Sequence, residues 1–148
     1  MRANATPLIV WVDSREQAPI DPPPGVELVR VTMPTGDYST EKLQLFGVLE
    51  RKSISDFANS ITRDRDRFED EIRRMRDYRW RAIVIEGDPS QVSRASNVHP
   101  HSVTGTVASF FARSDVPCLF AGSRPAAARL ICGVLRRWEE RLSGEAPQ

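Results

Sequence analysis

Short apolar runs set off by turns and charges constrain this chain most. PLIVWVD (7–13) is nearly continuous in apolar residues, as expected of a strand buried on both faces. AIVIEG (82–87) reads as another buried strand and VPCLFA (116–121) as a third. Helical patterns separate them in the second half, at about 102–113 and from Pro125 to about Leu142. The first half is richer in strands. DPPPGVE (21–27) holds three consecutive prolines and a glycine and must be a surface loop. VELVRVTM (26–33) alternates like a strand, and PTGD (34–37) turns the chain. YSTEKLQLF and GVLERK then read as a hairpin around Phe46-Gly47. Ser53, with Asp56 at the capping-box position, starts a helix through Ile61. A charged helix over about 64–78 carries Phe68, Ile72 and Met75 at core spacing, and 88–101 reads as a loop with a short helical piece. The order predicts an α/β domain, a mixed central β-sheet flanked by α-helices, with chemistry in the loops at strand ends.

At 148 residues a single domain is expected, with its core over about 7–142 and a flexible tail at 143–148. Hydrophobic residues at 40% and charged residues at 28% exclude a disordered chain. No apolar run approaches the roughly 20 residues of a membrane span. The N-terminus lacks a secretory apolar region with a cleavage site, so an intracellular protein, cytoplasmic or nuclear, is expected. Cys118 and Cys132 lie in apolar surroundings without metal-ligand spacing and read as free buried thiols. A net charge of +1 is no general nucleic-acid signal, so any such claim must rest on local patches.

The chemistry concentrates in GVLERKSISDF (47–57). Of 21 cationic residues only Lys42 and Lys52 are lysines. Glu50 and Lys52, two apart on a strand, leave the same face, and Arg51 leaves the other. The hairpin can bring Asp37 beside Glu50, and Asp56 lies one turn into the following helix. Carboxylates gathered there repel one another unless a cation or a proton intervenes, and hard oxygen ligands suit Mg²⁺ or Mn²⁺. A lysine beside such an ion can orient or deprotonate an attacking water, which an arginine cannot. Spacing alone leaves an ordinary ion-pair cluster equally open.

The segments VDSRE (12–16), GDY (36–38) and ERKSISD (50–56) together resemble the nuclease domain of the XPF family of structure-specific DNA endonucleases. The family signature is Gly-Asp, a variable gap, Glu-Arg-Lys, three residues and Asp. It stands here as Gly36, Asp37, Glu50, Arg51, Lys52 and Asp56. The similarity continues through SISDFANSI, Arg67-Phe68, Glu86-Gly87 and SVTGTVASFFARSDVPCLF, roughly residues 8 to 140. It implies the restriction-endonuclease-like fold, with Asp37 and Glu50 as metal ligands and Lys52 activating water. Asp13, Arg15 and Glu16 border the site, Arg51 makes phosphate or structural contacts, and Asp56 is an outer carboxylate. It further implies Mg²⁺- or Mn²⁺-dependent hydrolysis of branched DNA (flaps, forks or junctions), leaving 5′-phosphate and 3′-hydroxyl ends, in DNA repair or recombination.

One departure is TRDRDRF, where the family usually has Asp-Gly-Arg; Arg67 is the best match to that arginine. Nothing after residue 121 resembles the helicase or helix-hairpin-helix modules of larger members. The resemblance implies a homodimer, because the family dimerises partly through its nuclease domain, or a partner supplying further DNA binding. Two alternative functions are a non-catalytic DNA-binding or scaffold subunit and a duplex-specific, restriction-like nuclease.

RDRDRFEDEIRRMRDYRWR (63–81) holds eight arginines and six acids. It reads first as a solvated face laced with ion pairs, and alternatively as phosphate contacts from Arg63, Arg65, Arg67 and some of Arg73 to Arg81. Trp80 reads as a partly buried strand-edge residue, His99 and His101 as exposed, and Ile131, Leu135, Trp138 and Leu142 as an apolar stripe of the last helix.

Overall fold

The computed structural model describes residues 6–144. In chain order the elements are β1 (Leu8–Asp13), β2 (Val26–Val31), β3 (Tyr38–Ser39), β4 (Gly47–Lys52), α1 (Ile54–Ser60), α2 (Arg65–Met75), β5 (Trp80–Ile85), α3 (Pro89–Ser96), α4 (Pro100–Ser114), β6 (Cys118–Phe120) and α5 (Arg124–Leu142). The strands form one mixed sheet in the order β2-β1-β3-β4-β5-β6. β1 pairs with β2 in parallel, β3 is antiparallel to both β1 and β4, and β4, β5 and β6 run parallel. The carboxyl ends of β1, β4 and β5 therefore lie at one end of the sheet, where open α/β sheets bind their ligands.

Each sheet face buries its own core. Leu8, Val10, Val12, Ala82 and Val84 pack against Ala127, Ile131, Cys132 and Leu135 of α5. On the opposite face Val48, Ile83 and Ile85 meet Phe57 of α1, Phe68, Ile72 and Met75 of α2, and Val103 and Phe110 of α4. The Phe57, Phe68 and Phe110 rings meet edge to face, with centroids 6.0 and 4.9 Å apart. This double burial explains why β5 reads as an unbroken apolar run.

Several boundaries differ from the sequence expectation. The hairpin pairs only through Tyr38 and Leu49, because residues 40–46 fold into turns. Thr40 starts them: its Oγ1 and its carbonyl both accept from Leu43 N–H, and Leu43 is then fully buried. The short helical piece expected within 88–101 is the eight-residue helix α3, opened by Asp88 and Gln91 in a reciprocal cap and closed by Asn97 in the left-handed conformation. α4 begins at Pro100, with His99 as its N-cap. Trp80 lies on an inner strand and not an edge: it is buried and stacks on Trp138 at 6.0 Å.

Candidate active site

The described residues gather the signature side chains into one polar cleft of about 740 Å³ at the carboxyl ends of β1 and β4. Gly36 makes the arrangement possible. Its φ of +78° is left-handed, and a Cβ there would run into the Val48 side chain and lie 3.3 Å from the Leu49 carbonyl. Only glycine lets this turn lie flat on β4. Asp37 N–H then donates to Leu49 O at 2.9 Å, and the Asp37 carboxylate accepts from Arg51 N–H at 2.8 Å. Gly36→Ala is expected to cost about 2–4 kcal/mol through strain and clash together, read as a lower urea midpoint, and to abolish any activity that needs Asp37.

Along β4 the alternation holds. Glu50 and Lys52 face the cleft from the α1/α2 side, with side chains 18% and 10% exposed. Lys52 Nζ lies 3.9 Å from Glu50 Oε1, 3.2 Å from Glu71 Oε2 and 5.4 Å from the Phe68 ring centroid. Arg51 points the other way into a buried charge cluster. It grips Glu16 through Nε and Nη2, at 3.0 and 2.8 Å, and reaches Glu86 Oε1 through Nη1 at 2.7 Å. All three side chains are at most 8% exposed, so this guanidinium is engaged by protein carboxylates.

Asp13 is likewise fully engaged. Its carboxylate accepts from Met33 N–H at 2.8 Å and from Arg15 Nε at 2.7 Å, clamping the end of β1 to the segment after β2. Burial pushes the Asp13 carboxyl up, but Arg15 and the Met33 and Arg15 backbone N–H groups outweigh it and hold the group below its ordinary value. Asp56, at the third position of α1, is exposed at the cleft wall, and its N–H caps onto Ser53 Oγ at 3.1 Å.

Of the arginines named from sequence, Arg15 and Arg67 line the cleft, with side chains 68% and 83% exposed. Arg63 and Arg65 do not line it; Arg65 pairs with Glu69 and lies over the Phe110 ring. Glu71 on α2 is a cleft residue that the sequence reading does not name, and Arg74 beside it is one of the Arg73 to Arg81 group considered there as phosphate contacts. Both sit in a segment so dense in alternating charge that no spacing singles them out.

Two carboxyls carry the electrostatic signature of the site. Burial drives Asp37 up to about 6 and the Glu16 charge adds to it, while the Arg51 N–H pulls the other way. Glu50 is pushed well above the ordinary carboxylate range by burial and then by the Asp37 charge; Lys52 offsets part of this, and Glu71 and Glu16 add to it. Among the described residues no three His, Cys, Asp or Glu side chains are placed to hold a metal ion by themselves. A pair of carboxylates still fits Mg²⁺ or Mn²⁺, since Mg²⁺ keeps several waters and takes one or two carboxylates plus substrate phosphate. Two buried carboxyls, with the Asp37 charge raising Glu50, therefore suit a divalent cation, which Asp37 and Glu50 would hold.

The burial of Asp37 sets a pH dependence. Folded Asp37 titrates at about 6 against an ordinary 3.8, so the native state binds this proton more tightly than the unfolded chain. Its contribution favours folding below the unfolded value and is lost as pH rises through about 6. Asp13 acts oppositely, its contribution vanishing as pH falls below 3.8. The metal-free protein is expected to melt at a higher temperature as pH falls from neutrality through about 6. Saturating Mg²⁺ should raise the neutral-pH melting temperature and flatten this dependence; a thermal-shift series with and without EDTA measures both.

The ERCC4 domain model matches residues 12–134. Among solved structures, XPF from Aeropyrum pernix in complex with DNA superposes with a TM-score of 0.74 at 24% identity, over 90% of this chain and 66% of that one. XPF from Aeropyrum pernix in a second structure gives 0.73 at 26% identity, over 92% of this chain and 67% of that one. The chain spans about two thirds of the length of these two solved chains. No curated protein sequence matches it. The expected restriction-endonuclease-like arrangement, a mixed sheet between helices, is thereby borne out.

Proposed function

The chain belongs to the ERCC4-domain family, and from that premise we propose that it is a metal-dependent, structure-specific DNA endonuclease. The observation that carries the reading is the meeting of Asp37, Glu50 and Lys52 in one cleft, with Asp37 pushed upward by burial and the Glu16 charge and Glu50 by burial and the Asp37 charge. Perturbed carboxyls in a cleft mark a functional site more often than a structural ion pair. An ion-pair cluster kept for stability would satisfy its charges, as Asp13 and Arg51 do a few ångströms away.

Asp37 and Glu50 would hold the Mg²⁺ or Mn²⁺ ion. When bound, the ion polarises a phosphoryl oxygen and makes water a stronger nucleophile at neutral pH. Lys52 Nζ, next to Glu50, orients the attacking water and offsets charge that grows on the phosphate. Asp13 and Arg51 keep the frame. Asp13 ties β1 to the chain after β2, and Arg51 joins β4 to Glu16 and Glu86 while its N–H fixes Asp37. Arg15, Arg67 and Arg74 border the cleft as the phosphate contacts, and Asp56 is an outer carboxylate.

Support for DNA as substrate comes from the family and from the solved XPF–DNA complex that shares the fold. We assign branched DNA as the preferred form, and repair or recombination as the setting, on the family signature. A cleft bordered by three outward-facing arginines grips few phosphates, which favours a second copy or a partner protein supplying more contacts. Cleavage rates on end-labelled flap, fork, four-way junction and plain duplex, with either metal or EDTA, test the reading. Branched substrates are expected to be cut faster and only with metal. Equal rates on plain duplex would make the protein a restriction-like nuclease, and binding of every DNA without cleavage would make it a scaffold subunit.

A further inference from the structure

We propose that Glu71 is a positioning residue for Lys52, holding its ammonium group in place for the reaction assigned above. The inference rests on that nuclease reading and on side chains of α2 that the family signature does not include. Glu71 follows Phe68 by three residues, so both leave the same face of α2, the one turned to the cleft. Phe68 supports the Lys52 ammonium from beneath, 5.4 Å from its ring centroid, and Glu71 Oε2 meets it from the side at 3.2 Å.

The contact is an ion pair without a hydrogen bond. Glu71 Oε2 is buried and is the one buried side-chain polar atom without a hydrogen-bond partner among the described residues. A buried acceptor without a hydrogen bond is costly, so a residue kept for stability alone would close that bond. The remaining oxygen faces Arg67, with Oε1 3.9 Å from Arg67 Nε. Glu71 thus stands between the catalytic lysine and an arginine that is 83% exposed at the cleft mouth. Lys52 lies between two carboxylates, at 3.2 Å from Glu71 and 3.9 Å from Glu50, which keeps Nζ beside Glu50 without letting it close onto that carboxylate. Without Glu71, Glu50 would be the only carboxylate within 4.0 Å of Nζ among the described residues, and the amine would pair with the group assigned to the metal.

The test compares wild type with Glu71→Gln, which keeps size and helix propensity, and with Asp70→Asn as an exposed control on the same helix. Steady-state cleavage with saturating metal is expected to show kcat lowered roughly 10–100-fold in Glu71→Gln, with KM for DNA changed less than about twofold. Asp70→Asn should match wild type. Because Lys42 and Lys52 are the only lysines, ¹³C-lysine labelling gives two ε-methylene signals. Lys52 should be rigid in wild type and approach the mobility of Lys42, whose side chain is 68% exposed, in Glu71→Gln. An unchanged Lys52 signal, or an unchanged kcat beside an active wild type, overturns the positioning role and leaves the nuclease reading standing. If wild type cuts no DNA with either metal, the nuclease reading and the catalytic purpose of the contact fall together. The Lys52 signal then still decides whether Glu71 anchors the lysine.

Discussion

Arg51→Met is expected to remove about 3–5 kcal/mol of stability, enough to unfold much of a domain whose total is about 5–15 kcal/mol. The argument is one of uncompensated charge. Glu16 and Glu86 arrive from sequence positions 35 residues away on either side, and both place carboxylates on the one guanidinium at 2.7–3.0 Å. With side chains 7–8% exposed, neither can recover its hydration once Arg51 is gone. Burial disfavours the Arg51 charge, yet the two glutamates outweigh it and hold the guanidinium more firmly protonated than an ordinary arginine. Urea denaturation should show the loss as a lower midpoint at constant slope. Replacing all three residues together, with Glu16→Gln and Glu86→Gln beside Arg51→Met, should recover much of it. A loss below about 1 kcal/mol for Arg51→Met alone would contradict the structural role.

Glu50→Gln is expected to separate activity from stability. The side chain is one of the two proposed to hold the metal, so cleavage should fall by about a thousandfold or more, about 4 kcal/mol in the barrier. The metal-free variant should meanwhile melt higher than wild type at neutral pH, because the substitution removes a buried charge that Asp37, Glu71 and Glu16 all repel. That gain should shrink as pH falls and the wild-type carboxyl takes up its proton. Mg²⁺ should stabilise wild type and leave Glu50→Gln unmoved. A site assembled for stability would behave oppositely, with the variant melting lower and metal making no difference.

What could be read in the sequence, and what could not, divides along sequence distance. β5 is legible because burial on both faces leaves a nearly unbroken apolar run; β1 carries such a run too, but Ile9 is exposed and Trp11 only half-buried, so one of its faces is open and the expected double burial does not hold there. The opposed directions of Arg51 and Lys52 follow from the two-residue period of a strand, and the Gly36-Asp37 turn from the signature. Contacts that join distant segments left no local trace. The Glu16–Arg51–Glu86 cluster spans residues 16 to 86, and nothing near Arg51 announces that its partners are protein carboxylates. Glu71 was hidden for another reason: it lies among acids and arginines whose spacing fits a solvated helix face equally well. The hairpin was overextended because YSTEKLQLF carries strand-like residues, while the Thr40 side chain and the burial of Leu43 turn the backbone away. Strand order depends on which faces are covered, and α5 covers one face from the far end of the chain.

The central claim is that Asp37, Glu50 and Lys52 form a divalent-metal site that hydrolyses DNA. It is tested most directly by cleavage of an end-labelled DNA fork by wild type, Glu50→Gln and Lys52→Ala in Mg²⁺, Mn²⁺ and EDTA, with DNA binding measured on the same samples. The account predicts cutting by wild type with metal, none in EDTA, and losses of about a thousandfold in both variants at undiminished DNA binding. Wild-type protein that binds the fork yet never cuts it with either metal, or variants that cut as fast as wild type, would contradict it.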